Sequence, residues 1–250
     1  MKASFAVLAM LAATVAQAAP PLSSPVPFDD PDGAQLVRGH DFKRIIQAAL
    51  SFKQKDQFET TEAFDIRRAA WETKAIYGSV TPTSLLSVSA GHASTEEDRT
   101  LFYRYDADSQ RLELCLTGFP RAIEVDSRTT PLGTYVGKNA FGVAKTVYRS
   151  TVESYRVEMP YADYKPNCQD GALLAPSVAR VVLHGASFAV VGKLMPPYAE
   201  TRVDYTSPTV KEPVERKYIT HDARFEPAYF ALVAKDGRLI ARVDYPRRVE

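Results

Sequence analysis

Residues 133–159 read GTYVGKNAFGVAKTVYRSTVESYRVEM, a stretch in which strand-forming residues meet three glycines. Its glycines at positions 133, 137 and 142 interrupt a run rich in Tyr, Phe and Val. Such glycines usually mark bulges or places where another backbone comes close. Polar and apolar side chains alternate over residues 154–159, which is the pattern of a half-buried strand. The stretch therefore predicts the central two-stranded ribbon of a β-sheet.

Two amphipathic helices are predicted before this ribbon. Apolar residues recur at helical spacing over residues 41–53 and indicate the first helix. The second helix follows the cluster 58–61, where a Thr can cap its start, and runs to about residue 74. Trp71 lies on its apolar side, which indicates a core anchor; a ring that stacks on a ligand is the alternative.

Two hairpins are predicted from alternating strands that flank turn residues. Residues 101–105 and 112–116 alternate on either side of a polar loop. Near the end of the chain, residues 229–234 and 239–243 flank Asp236-Gly237, a dipeptide that favours a two-residue hairpin turn.

Between the ribbon and the last hairpin the pattern is less regular. Residues 160–175 read as a loop, residues 176–184 as a short helix, and residues 186–194 as a strand. Prolines at positions 196, 197, 208 and 213 then indicate irregular or edge segments. Since strands follow one another by hairpins, we expect an α+β fold with one or two N-terminal helices packed on a mainly antiparallel sheet or sandwich.

The first 18 residues have the features of a secretory signal peptide. Lys2 precedes an apolar stretch over residues 5–15, and Ala16-Gln17-Ala18 predicts cleavage between Ala18 and Ala19. The apolar stretch is shorter than the roughly 20 residues that span a membrane; an uncleaved anchor is the alternative. We therefore expect a soluble protein that is periplasmic or secreted.

The rest of the chain divides by composition. Residues 19–38 are rich in proline and predict an extended leader. Residues 39–250 are expected to form one mostly-β globular domain, although two smaller domains fit the length equally well.

The charge balance bears on the class of partner. Without Lys2, the 31 basic residues become 30 and equal the 30 Asp and Glu. A nucleic-acid binder normally shows a basic surplus or stripe, and a binder of membrane surfaces a basic amphipathic face. Neither pattern is visible in the sequence. We expect a protein or envelope component as partner, and neither nucleic acid nor a membrane span.

Cys115 and Cys168 are the two cysteines of the chain. An even count in an exported protein makes a disulfide between them the expected state. Such a bond would close a loop of about 54 residues and stabilise the fold by about 4 kcal/mol in the chain-entropy model. Two free thiols, with Cys115 buried, are the alternative.

Candidate catalytic and metal-binding residues do not form a coherent set. Ser89 in SVSAG resembles a nucleophile elbow, but Ser87 replaces the first glycine and no parallel βαβ pattern surrounds it. His92 and Glu96 could share one face of a helix as metal ligands, although no third ligand is identifiable and Ser94 with Glu97 forms a capping pattern. The sequence therefore predicts no catalytic, metal or cofactor residue.

These observations favour a non-catalytic periplasmic module that binds a protein or envelope component. A sheet edge near residues 201–216 could accept a partner strand. The alternative is an extracytoplasmic hydrolase whose residues converge only in three dimensions, with Ser89 and His92 as its candidates.

Overall fold

The computed structural model describes residues 20–26, 36–96, 100–118, 121–160 and 167–245. The expected signal peptide, its Ala18–Ala19 cleavage site and much of the proline-rich leader lie outside these residues. None of the helices in the described part of the chain has the length and apolar character that a membrane crossing requires.

Three helices and nine strands form within the described residues. In chain order they are α1 (Phe42–Ala49), α2 (Thr61–Glu72), β1 (Leu86–His92), β2 (Leu101–Asp106), β3 (Arg111–Leu116), β4 (Ala122–Lys138), β5 (Ala144–Glu158), β6 (Asn167–Leu173), α3 (Pro176–Val182), β7 (Ser187–Thr206), β8 (Val214–Val233) and β9 (Leu239–Asp244). The expected α+β fold with mainly antiparallel strands is confirmed.

The strands form two sheets. The larger sheet has the order β1-β7-β8-β5-β4, and β9 pairs with residues 229–233 of β8 on the side away from β7. The smaller sheet has the order β2-β3-β6. All pairings are antiparallel except that between β5 and β8, which run parallel. Leu112 and Leu114 of the smaller sheet pack with Phe188 and Leu232 of the larger one. The two sheets therefore share one apolar layer.

Helix α1 packs on the larger sheet because its apolar residues lie on one side. Asp41 caps its start by accepting a hydrogen bond from the Arg44 backbone N–H. Ile45 and Ile46 are fully buried, and the Phe42 ring meets Phe225 of β8 edge-on at 5.6 Å. Helix α1 ends at Ala49, whereas the sequence predicts a helix to about residue 53.

Two predictions for the second half of the chain are wrong in detail. Residues 160–175 are predicted to form a loop, but they include β6, which pairs with β3. The sequence NCQDGAL of β6 lacks the apolar alternation that would indicate a strand. Pro196 and Pro197 do not end the preceding strand. A register shift between Leu194 and Ala199 accommodates them, and β7 continues to Thr206.

The two cysteines lie directly opposite each other in the β3–β6 ladder. Their sulfur atoms are 2.06 Å apart, which is a bonding distance, and their sequence separation is 53. The bond joins the middle strand of the smaller sheet to the strand that follows the ribbon.

Candidate functional site

Four strands of the larger sheet extend beyond the packed core. We call this extension the distal blade and define it as residues 127–138 of β4, 144–152 of β5, 214–220 of β8 and 201–206 of β7. Every position of 127–136 and of 201–206 is exposed. Antiparallel sheets commonly keep one face on a core, so a sheet with so little cover is a candidate binding surface.

The register assigns each side chain of the blade to one of two faces, because residues directly opposite in a ladder share a face. At the base of one face, the Gln47 side chain of α1 donates a 3.2 Å hydrogen bond to the Tyr155 hydroxyl; this is the helix face. The opposite face carries Arg156, Arg202 and Asp222 and is the arginine face.

Asp222 is the central group of the arginine face. Its side chain is 0% exposed, and Arg156 donates to it from Nε at 2.8 Å and from Nη2 at 3.2 Å. Arg202 donates to its Oδ2 from Nε at 3.0 Å and from Nη2 at 2.5 Å. Burial opposes ionisation of Asp222, but these hydrogen bonds and the two positive charges outweigh it and hold the pKa of the carboxyl below its usual value.

Asp222 also belongs to a group of three carboxylates with Glu158 and Glu200, whose oxygens lie within 4.8 Å of one another. Arg202 Nη2 lies 3.6 Å from Glu158, and Arg224 Nη2 lies 3.8 Å from Glu200. Guanidinium groups therefore already balance these carboxylates. We interpret the cluster as an ion-pair network that fixes the base of the blade.

A second network of hydrogen-bonded side chains crosses the helix face. Thr201 Oγ1 lies 2.8 Å from His221 Nδ1, and His221 Nε2 lies 3.1 Å from Glu153 Oε1. Tyr155 stacks on the His221 ring at 4.7 Å and donates its hydroxyl to Glu153 at 3.2 Å. A hydroxyl, an imidazole and a carboxylate in this order have the connectivity of a nucleophile, a base and an orienting group.

The two edges of the blade differ. On one side, β4 has register shifts between Glu124 and Asp126 and between Pro131 and Gly133. Bulges and prolines are devices that protect a sheet edge from pairing with another strand. On the other side, β1 pairs with β7 only as far as Gly192. Within the described residues, β7 beyond that point has β8 as its one strand neighbour.

The exposed part of β7 has no such protection. Residues 199–206 pair with β8 in continuous register and contain no proline. Val203 is 45% exposed and Tyr205 70% exposed, both on the helix face. Arg202 and Asp204 project from the arginine face. This edge therefore offers backbone groups, two apolar side chains and the exposed carboxylate of Asp204, while the Arg202 guanidinium is bound to Asp222.

An aromatic cleft lies beside α2, away from the blade. Trp71 packs against Phe52 at 4.8 Å and against Tyr198 at 4.6 Å, in a cleft of about 680 Å³. Arg67, which lines the cleft, is held by Glu59 at 2.7 Å. The Tyr198 hydroxyl donates to Glu72, and burial together with this bond raises the pKa of the tyrosine. These contacts attach α2 to the sheet, which agrees with a structural role for Trp71.

The structure does not bring the sequence-derived hydrolase candidates together. Ser89 and His92 are both exposed on β1, where a register shift separates them, and no hydrogen bond joins them within the described residues. β1 continues past Ser89 as a strand, without the turn into a helix that a nucleophile elbow requires. His92 ends β1, and Glu96 follows in a loop where its backbone N–H donates to Ser94 Oγ.

Sequence reasoning did not identify the hydrogen-bond networks around Asp222 and His221, because the residues of each network come from separate strands. His221 and Asp222 are neighbours in the chain, yet they lie on opposite faces of β8 and have different partners. Strand alternation predicts this separation once residues 214–233 are recognised as a strand. The register that brings Arg156 and Arg202 to Asp222 is not encoded locally.

Comparisons of this chain with protein-family models, with curated proteins and with solved structures find no match. A functional proposal therefore rests on the geometry of the chain itself.

Proposed function

We propose that this chain is an exported, non-catalytic interaction module that binds an extended segment of a cell-envelope protein along the edge of β7. The observation that carries the proposal is the edge over residues 201–206, which is exposed, continuous in register and free of proline. Such an edge can add a strand, because main-chain hydrogen bonds supply affinity and alternate side chains supply specificity.

The side chains of β7 indicate what the bound segment looks like. Its apolar residues would lie beside Val203 and Tyr205 on the helix face, where they remove exposed apolar surface from water. On the arginine face, a basic residue would lie opposite Asp204, while Arg202 keeps its ion pair with Asp222. Opposite charges across a strand pair stabilise it by about 0.2–1 kcal/mol each.

β7 itself meets this description when it is read in the antiparallel direction. A pairing centred on Val203 places Arg202 of one strand opposite Asp204 of the other. The peptide ETRVDYT, residues 200–206, is therefore a defined probe for the edge. A peptide of the same composition in scrambled order is its control, and dimerisation of the purified protein would instead assign the edge to a second copy.

The cellular test is crosslinking of the tagged protein in intact cells, followed by mass spectrometry of the crosslinked segments. Val203→Lys places a charge on the free edge, which natural sheets use to prevent strand addition. Thr130→Lys is the matched control, since Thr130 is exposed on the same face at the opposite edge. We expect Val203→Lys to abolish capture of the segment and Thr130→Lys to preserve it; equal capture by both would refute the proposal.

An extracytoplasmic hydrolase is the second candidate, and the Thr201–His221–Glu153 chain is the observation that favours it. In the tautomer in which His221 donates from Nε2 to Glu153, Nδ1 accepts the Thr201 hydroxyl proton. Thr201 is exposed, so a substrate could reach its hydroxyl. Turnover of ester or peptide substrates that disappears in Thr201→Ala would support this candidate.

A further inference from the structure

Two chain turns lie side by side at the far end of the distal blade. The first joins β4 to β5 through residues 139–143, and the second joins β7 to β8 through residues 207–213. Residues from both turns line one surface hollow of about 470 Å³, among them Val143 and Val210. We call residues 136–145 and 207–213 the blade tip.

Apolar side chains occupy the outermost positions of the blade tip. Phe141 is 92% exposed, and Val136, 72% exposed, lies behind it in β4. Val143 and Val210 are each 46% exposed. Singly exposed apolar residues are common on protein surfaces, but several at one projecting end indicate an interaction site.

The turn that carries Phe141 is held by side-chain hydrogen bonds. Asn139 Oδ1 accepts from the backbone N–H of Phe141 at 3.0 Å and of Val143 at 2.9 Å. Gly142 adopts a φ of +85°, a conformation that glycine allows without a steric cost. Because the turn is already ordered, exposure of Phe141 is a fixed feature of the fold and insertion of the ring would need little further ordering.

Lysines surround this apolar end. Lys138 lies opposite Ala144 in the last rung of the β4–β5 ladder, and Lys145 lies opposite Gly137 in the rung before it. The two lysines therefore project from opposite faces of the hairpin. Lys211 adds a third cation from the neighbouring turn. The carboxylate of Glu212 in that turn lies 3.5 Å from Arg216, which balances its charge.

We infer that the blade tip inserts into the interfacial layer of a membrane that contains anionic lipids. Phe141 and the valines would enter the boundary between headgroups and acyl chains, and the lysines behind them would contact anionic headgroups. A projecting apolar end flanked by three lysines fits the layered surface of an anionic membrane better than it fits the flat or grooved surface of a protein. The sequence shows no basic amphipathic face, because these lysines meet only where two hairpins end together.

The test is co-sedimentation of the purified protein with vesicles of phosphatidylcholine, with and without 30 mol% phosphatidylglycerol. We expect binding to the anionic vesicles only, weakened by salt. Phe141→Asp should weaken binding by at least about tenfold, since it removes the main apolar contact. Removal of the charge of Lys138 or of Lys145 should weaken vesicle binding by about fivefold in each case, which is the contribution of one cation near an anionic surface.

Phe58→Asp is the matched control, because Phe58 is 88% exposed beside the aromatic cleft and outside the blade. It should leave vesicle binding unchanged. In the variant Phe141→Trp, the fluorescence emission should also shift to shorter wavelength when anionic vesicles are added.

Three results would overturn the inference. They are no binding of the wild-type protein, equal binding by Phe141→Asp, and equal binding to both kinds of vesicle. Photo-crosslinking from position 141 to a protein in intact cells, without lipid binding, would assign the tip to a protein partner instead. None of these results bears on the β7 edge, which Val203→Lys tests separately.

Discussion

Asp222 lies directly opposite Arg156 in the parallel β5–β8 ladder, and Arg156 Nε donates a 2.8 Å hydrogen bond to its Oδ1. Arg202 reaches the same carboxylate from β7 on the other side of β8. One buried carboxylate therefore joins three adjacent strands where the blade leaves the core. This position explains how a sheet with two exposed faces keeps a fixed orientation relative to the core.

Replacement of Asp222 should destabilise the protein strongly. Asp222→Ala leaves two arginines without their shared carboxylate, and removing one partner of a buried ion pair costs about 3–5 kcal/mol. Since Arg156 and Arg202 are 33% and 48% exposed, water can replace part of this interaction, and we expect a loss of about 2–4 kcal/mol. Urea unfolding at pH 7 measures it.

The control for this prediction is Asp65→Ala. Asp65 lies 3.0 Å from Arg68 in a solvent-exposed pair on α2, and such pairs contribute at most about 1 kcal/mol. Equal effects of the two substitutions would contradict the role assigned to Asp222.

His40 should make stability depend on pH in mildly acidic solution. The residue is buried, Ser87 N–H donates to its Nδ1 at 3.0 Å, and Nε2 lies 2.9 Å from the Ser24 carbonyl oxygen. Burial lowers the pKa of His40 below its ordinary value of 6.5, although the hydrogen bonds act in the opposite direction.

The unfolded state therefore takes up this proton first as the pH falls. The contribution of neutral His40 is fully present above pH 6.5 and is lost as the pH falls from there through the folded-state pKa. We expect His40→Asn to flatten the change in unfolding free energy between about pH 7.5 and 5.5. The same slope for wild type and His40→Asn would contradict this prediction.

The sequence predicts local elements of the fold well. Thr60 caps α2 as its type and position suggest, and a hairpin turn forms at Asp236-Gly237. The turn has three residues, 235–237, instead of the expected two, because only Gly237, with a φ of +92°, has the positive φ that a two-residue type I′ turn requires at both positions. Helical spacing identified the buried side of α1, including Ile45 and Ile46. These features depend on a few adjacent residues, whose chemistry restricts the backbone directly.

The candidate site depends on non-local pairing and could not be predicted in the same way. The parallel register that places Tyr155 beside His221 joins segments 66 residues apart. The sequence of neither segment indicates its pairing partner or register, because polar and apolar residues alternate in both, as they do in many half-buried strands. The free edge of β7 was expected near residues 201–216, but its length and the contrast with the bulged edge of β4 follow only from the complete sheet order.

Loss of the Cys115–Cys168 bond should lower stability by about 4 kcal/mol, the chain-entropy value for a loop of this length. The bond joins two paired strands of the smaller sheet, 53 residues apart in sequence. The double variant Cys115→Ser/Cys168→Ser should therefore unfold at lower urea concentration than the oxidised protein. Reduction of the wild type should give a similar shift, and identical unfolding curves with and without reductant would contradict the prediction.

Thr201→Ala separates the two candidate functions. Thr201 is exposed, so the variant should fold normally, and strand addition uses the backbone of β7, so segment binding should be retained. If the chain is a hydrolase, the same variant lacks the nucleophile and its turnover should disappear. His221→Asn removes the base and should lower kcat/KM by at least about a hundredfold, the scale of a general-base contribution.

Hydrogen exchange over residues 201–206 is the direct test of strand addition at the β7 edge. The measurement compares the free protein with its complex with the captured segment, or with the ETRVDYT peptide, at saturating concentration. Strand addition predicts slower exchange of the outward-facing backbone amides of β7, while the amides of residues 127–136 at the opposite edge keep their rates. Unchanged exchange over residues 201–206, together with protection elsewhere, would show that the partner binds another surface and would contradict the proposed function.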